Sequence, residues 1–260
     1  IKNEEMIKKN IREYNYDVAF ELANMMPERS KKYLPLIKMA RDRVILNSRE
    51  LESALKNNEQ NLKNIFTPIK KDGIREVYEY ALSLNIKFAR KDYDGFIRAT
   101  SPLIVRIFES MLYEQCGIEL NNYMKINKKG VKEWDRNKLK LDIKGKRIDT
   151  CLNNNFRYFK YNYIQSVHIK AILEEFCNDK KLINLVKKIR VVEEKIRNIV
   201  AHDIFCVTDD SVKKRTGYYI SEIHSFLVES FKYTNFNISE DNWKSYDIMN
   251  DYIIKVISER

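Results

Sequence analysis

A chain of 260 residues, 44% of them hydrophobic, is long enough to bury a sizeable core without disulfides, and six glycines and four prolines are too few to turn an all-β fold. The same composition excludes a disordered chain, so the expected fold class is all-α. A net charge of +11 points to an anionic partner, nucleic acid first, but the Lys-, Asn- and Ile-rich composition is also what AT-rich coding produces, so charge alone does not establish that partner.

No apolar run approaches the roughly 18 to 20 residues of a membrane span, and no signal peptide opens the chain. Cys116, Cys151, Cys177 and Cys206 are widely spaced, with no CxxC pair and no histidine at metal-ligand spacing. We therefore expect reduced, structural cysteines, a cytoplasmic protein, no membrane contact and no metal or other cofactor. The chain begins with Ile rather than Met and is read as a piece of a longer protein, with an N-terminal domain expected ahead of it.

Residues 1–66 read as three helical stretches carrying Ile7, Ile11, Val18 and Leu22, with breaks at Pro27 and Asn57-Asn58. Residues 33–55 place Leu34, Ile37, Ala40, Val44, Leu51 and Leu55 on one stripe, and residues 74–90 do the same with Val77, Tyr80, Ala81 and Leu84. The polar stretch 91–94 is the expected boundary, giving domains at 1–92 and 93–260. In the second, Ser101 before Pro102 is a good N-cap and Gly117 a good C′ residue, so a helix either starts at Pro102 or is a longer one from Asp94 kinked there.

Residues 118–160 have the weakest periodicity, and 125–147 hold ten basic residues against Glu133, Asp135 and Asp142. This irregular basic insertion is the local candidate for an RNA contact, with Lys128, Lys129, Lys132, Arg136 and Lys138 on phosphates and Tyr123 and Trp134 stacking on bases. Against it stands the reading of a solvated, partly disordered loop. Helices are then expected over 163–177, 180–202, 215–233 and 242–260, with 203–210 irregular. In the second of these, Leu182, Val186, Ile189, Val192, Ile196 and Ile199 recur as a heptad-like seam suited to a bundle core or a helix–helix interface.

Near the end of that helix stands Arg197-Asn198-Ile199-Val200-Ala201-His202. RNA is cut without metal when its 2′-hydroxyl attacks the adjacent phosphate, which needs a base at that hydroxyl, an acid at the leaving 5′-oxygen and positive charge for the transition state. His202 titrates near neutrality, Arg197 stays protonated and holds two phosphoryl oxygens, and Asn198 orients phosphate or imidazole. On an ideal helix positions 197 and 202 lie roughly 140° apart and about 7.5 Å apart in rise. Either the helix ends or distorts near Val200, or the site borrows from a second subunit, which would also supply a second histidine.

RNIVAH resembles the R-polar-x-x-x-H motif of HEPN domains, all-helical nucleases whose paired protomers form a composite, metal-independent ribonuclease site. The Lys-rich context and the preceding helices look most like the accessory ribonucleases of type III CRISPR systems, which join an N-terminal CARF sensor, a helical linker domain and a HEPN domain. That resemblance implies a linker domain at 1–92, a HEPN helical bundle at 93–260, single-stranded RNA as substrate, a homodimer, and antiviral defence. It also implies activation by cyclic oligoadenylate on a CARF domain absent from this chain. HEPN toxins of toxin–antitoxin systems resemble R-x4-H-x-Tyr, and Ile204 departs from that pattern.

Two other readings remain: a toxin ribonuclease, or a non-catalytic module that dimerises through the Leu182–Ile199 seam and binds RNA. His168 and His224, beside apolar neighbours, are expected at the edge of the core. Glu193-Glu194-Lys195 has the acid-x-Lys spacing of metal-dependent nucleases but is mid-helix, where a solvated face is expected. Asp142-Ile143-Lys144 has the same spacing and stays open.

Overall fold

Apolar residues at helical spacing wind most of the described chain into helices. The computed structural model of the protein describes residues 2–202 and 207–259, with the side chains of 197–202 outside that description. Among the described residues the only strands form one short hairpin, so the all-α expectation holds.

The first unit comprises residues 1–92 and 238–260. It contains α1 (Lys2–Arg12), α2 (Tyr16–Asn24), α3 (Pro27–Ser30), α4 (Leu34–Val44), α5 (Ser48–Leu55), α6 (Gln60–Phe66) and α7 (Asp72–Ala89). More helices form here than the three stretches expected over 1–66, because turns with left-handed residues at Tyr14 and Leu46 and a proline in the first turn of α3 and of α4 divide the pattern. Val18, placed in a core stripe by spacing, is 42% exposed.

The chain returns to this unit with α16 (Glu240–Trp243) and α17 (Ser245–Ser258). Tyr246, Met249, Ile253 and Ile257 of α17 join the core made by Ile7, Ile11, Ile37, Phe66 and Tyr78. The expected division at 93–260 therefore differs from the folded one at its end. A stripe on a helix says that one face is buried, not which neighbour buries it.

At the centre of this core Arg43 is buried, and its Nε and Nη2 each lie 3.0 Å from a Glu79 oxygen. Nη2 also donates to Ser245 Oγ at 2.8 Å, and the guanidinium stacks 4.2 Å from the centre of the Tyr246 ring. One side chain thus ties α4 to α7 and α17. Burial pushes the Glu79 carboxyl up despite the pull of Arg43, so desolvation offsets much of the attraction.

The second unit, residues 93–237, contains α8 (Tyr93–Arg98), α9 (Thr100–Cys116), β1 (Met124–Ile126), β2 (Lys132–Trp134), α10 (Arg136–Leu139) and α11 (Ile143–Asn155). It continues with α12 (Ser166–Phe176), α13 (Lys180–His202), α14 (Asp209–Thr216) and α15 (Ile220–Ser230). Ser101 is not a cap: α9 begins at Thr100, and the break from α8 falls at Ala99. Gly117 ends α9 in the left-handed region at φ 59°, as its position suggested, and Gly217 at φ 87° splits the expected helix over 215–233 into α14 and α15.

Residues 118–160 are more ordered than their periodicity implied. β1 and β2 pair antiparallel with Met124 opposite Trp134 and Ile126 opposite Lys132. Asp135 caps α10 by accepting from the amides of Asn137 and Lys138, and Asp142 caps α11 from Gly145. Asp142 also accepts from the Tyr123 hydroxyl, and Lys144 Nζ donates to Gly117 O at 2.8 Å, which gives both members of that acid-x-Lys pair structural partners.

Glu79→Ala strands the Arg43 charge in the core and is expected to cost about 3 to 5 kcal/mol in urea unfolding. Asp94→Ala, which removes the exposed partner of Arg98, is expected to cost less than about 1 kcal/mol in the same measurement.

Candidate active site

Asp179 starts α13 by accepting from the amides of Lys181 and Leu182. Leu182, Leu185, Val186, Ile189, Val192 and Ile196 are buried along its length, where α9, α12 and α15 pack against it. The seam is therefore used inside the unit and does not offer the dimerisation face of the non-catalytic reading; Ile199 lies outside the described side chains. The backbone stays helical through His202, so no helix end falls at Val200. The side chains of Arg197, Asn198 and His202 lie outside the described residues.

One turn before Arg197, Glu193 is only 2% exposed, which corrects its reading as a solvated face. Ser166 Oγ donates to Glu193 Oε2, joining the start of α12 to α13, and Arg190 Nη1 lies 3.7 Å from the same oxygen. Among the described residues, the buried Arg190 Nε and Nη1 have no hydrogen-bond partner, so the guanidinium holds Glu193 by charge rather than by a fork. Sequence reasoning missed this cluster although a signal was present: Glu193 stands seven residues after Val186, in the same stripe.

Beside it, His168 is buried, and its Nδ1 accepts from Trp134 Nε1 at 3.1 Å and from the Gln165 amide at 3.3 Å. The ring is therefore neutral with its proton on Nε2, and burial, helped by the Arg190 charge, lowers its pKa to about 4. Phe156 and Phe159 pack edge-on against it with ring centres 5.0 and 5.4 Å away. His168 thus belongs to the core, as expected, and burial also lowers the pKa of half-buried His224.

Trp134 and Tyr123 do not serve as base-stacking platforms. Trp134 is 1% exposed and spends its N–H on His168, and Tyr123 is 5% exposed with its hydroxyl on Asp142. Of the five candidate RNA contacts, Lys128 and Lys129 are exposed in the turn between β1 and β2. Lys132 pairs with Glu109 at 2.8 Å, Lys138 donates to Met124 O at 2.7 Å, and Arg136 lies 5.4 Å from the Tyr161 ring centre.

The model of the Csm6 HEPN domain matches residues 66–254, which take in α7 through most of α17 and the whole of α13. The chain belongs to the Csm6 HEPN family. Its fold is similar to that of Enterococcus italicus Csm6 bound to cyclic hexa-2′-fluoro-hexa-dAMP, with a TM-score of 0.68 over 98% of this chain at 13% identity. The chain spans 57% of the length of that protein. No curated protein matches it. The family match bears out the resemblance drawn from RNIVAH and places the chain with the CRISPR accessory proteins of the Csm6 type.

The His168 pKa, below the unfolded value of about 6.5, means that the folded protein binds fewer protons than the unfolded chain between those values. The stability this group contributes is complete above about pH 6.5 and is lost as pH falls toward 4, on the order of 3 kcal/mol over the window. Urea midpoints measured between pH 7 and pH 4 are expected to fall less steeply in His168→Gln than in the wild type.

Proposed function

We propose that this chain is the nuclease-bearing part of a CRISPR-associated, metal-independent endoribonuclease that cuts single-stranded RNA. The observation that carries the reading is that the Csm6 HEPN family match includes the Arg197-Asn198-x-x-x-His202 motif at the end of a helix whose backbone runs unbroken through it. A straight helix holds positions 197 and 202 on different faces. This supports a composite site in which a second copy of the chain completes the constellation across a two-fold axis.

In that site the 2′-oxygen forms a bond to the adjacent phosphorus while the bond from phosphorus to the 5′-oxygen breaks. One histidine takes the 2′-hydroxyl proton and a second copy of His202 delivers a proton to the leaving oxygen, the products being a 2′,3′-cyclic phosphate and a 5′-hydroxyl. Arg197 holds the phosphoryl oxygens as negative charge develops, and Asn198 orients phosphate or imidazole. The buried Glu193, one turn before Arg197 and fixed by Ser166 of α12, anchors the helix that presents them.

Residues 1–92 act as a helical linker and the HEPN function resides in 93–260, with α17 folded back onto the linker unit. Activation comes from cyclic oligoadenylate bound by a CARF domain outside this chain. Support for that comes from the ligand of the E. italicus protein, to which the fold is similar. The setting is type III antiviral defence in the cytoplasm; among the described residues no helix is long and apolar enough to cross a membrane.

Labelled single-stranded RNA incubated with excess chelator is expected to be cut to 2′,3′-cyclic phosphate ends. His202→Ala should lower the rate by at least about 100-fold, with little change in unfolding temperature. Cutting that survives His202→Ala, or that stops with the chelator, would sink the proposal.

A further inference from the structure

The segment between α11 and α12 reads Phe156-Arg157-Tyr158-Phe159-Lys160-Tyr161-Asn162-Tyr163. Its side chains divide between two faces. Phe156 and Phe159 turn inward onto His168, and Tyr161 donates to Asp149 at 2.6 Å. Arg157, Tyr158, Lys160 and Tyr163 are exposed, Tyr158 by 80%. The edge of the segment is also pinned to β2, with Trp134 N donating to Asn162 O and Ile164 N to Lys132 O.

Tyr158 has φ 58° and sits third in a four-residue turn closed by Phe159 N donating to Phe156 O at 3.1 Å. Glycine or asparagine is the usual occupant of a left-handed turn position, and a bulky aromatic there is held against its backbone preference. Packing does not repay that strain, because the ring stands in solvent. Arg157 approaches it, with the guanidinium 5.1 Å from the ring centre and Nη2 3.3 Å from the Tyr158 hydroxyl. Among the described residues Arg157 and Lys160 have no carboxylate partner, unlike Lys132, which is spent on Glu109.

We propose that Arg157, Tyr158 and Lys160 form a single-stranded RNA platform, in which a base stacks on the exposed tyrosine and the two cations hold the flanking phosphates. An exposed aromatic face with interleaved cations is the chemistry that single-stranded nucleic acid recognises without sequence preference. The inward aromatics supply the rigidity, so the platform is ordered before RNA arrives and loses little entropy on binding it. Tyr163 offers a second exposed ring on the same segment, and Lys128 and Lys129 stand in the adjoining hairpin turn. The inference rests on the ribonuclease reading only for the choice of RNA as the ligand.

The test is the binding of a fluorescein-labelled single-stranded RNA to the full chain carrying His202→Ala, with cleavage followed separately in chains that keep His202. Tyr158→Gly and Tyr158→Asn, both compatible with the left-handed backbone, are expected to weaken binding about tenfold with unfolding temperature equal to or above that of the parent. Tyr158→Phe, which keeps the ring, is expected to bind as the parent does. Arg157→Ala should make the negative slope of log K against log salt shallower by about 0.7, the value for one phosphate contact on a single strand. Affinity within twofold of the parent in both Tyr158→Gly and Arg157→Ala, alongside normal cleavage by chains that keep His202, would overturn the platform and leave the nuclease standing. Binding that depends on Tyr158 and survives His202→Ala would leave the platform standing whatever the cleavage assay returns.

Discussion

The second unit depends on burying one face of the long helix α13 from Leu182 to Ile196. The buried stripe of α13 from Leu182 to Ile196 is enclosed by α9, α12 and α15, and apolar burial of this kind is strong but tolerant of sliding. Glu193 removes that freedom. A carboxylate at 2% exposure has few arrangements that satisfy it, and the one formed here, with Ser166 Oγ and the Arg190 charge, exists only at one register of α12 against α13. Because Glu193 lies one turn before Arg197, that register also sets where the backbone of the motif begins.

The first unit solves the same problem with a different charge. Arg43 meets Glu79, Ser245 and the Tyr246 ring at once, so α4, α7 and α17 share a single solution. The upward shift of the Glu79 carboxyl shows that desolvation is not fully offset. The pair is better understood as selecting one arrangement of helices than as adding net stability. Its most consequential partner is the last helix of the chain, which it helps hold beside the first ones.

The basic stretch shows how little a count of lysines says about a surface. Lys132 goes to Glu109, Lys138 to Met124 O, Lys144 to Gly117 O and Arg147 to Glu175, all of them internal to the unit. Among the described residues, Lys128 and Lys129 in the hairpin turn and Arg157 and Lys160 beside Tyr158 are exposed without a carboxylate partner. Trp134, the most conspicuous aromatic of the stretch, faces inward to donate to His168, and smaller rings packed on that histidine leave Tyr158 outside.

The sequence by itself determined the helical class, through 3.6-residue periodicity and the scarcity of Gly and Pro, and it marked the end of α9 through Gly117. It also carried the family, because Arg197, Asn198 and His202 are a local pattern readable without coordinates. The seam of α13 was legible as buried, and Glu193 lay within its period, but a charged residue in an apolar stripe reads as solvated until its partner is known. That partner, Ser166, is 27 residues away, and no local rule connects the two. Tertiary structure alone decided that α17 returns to the first unit, that Trp134 turns inward while Tyr158 turns out, and which cations are spent on carboxylates. Each of these is a choice among neighbours distant in sequence, and periodicity records only that a face is buried.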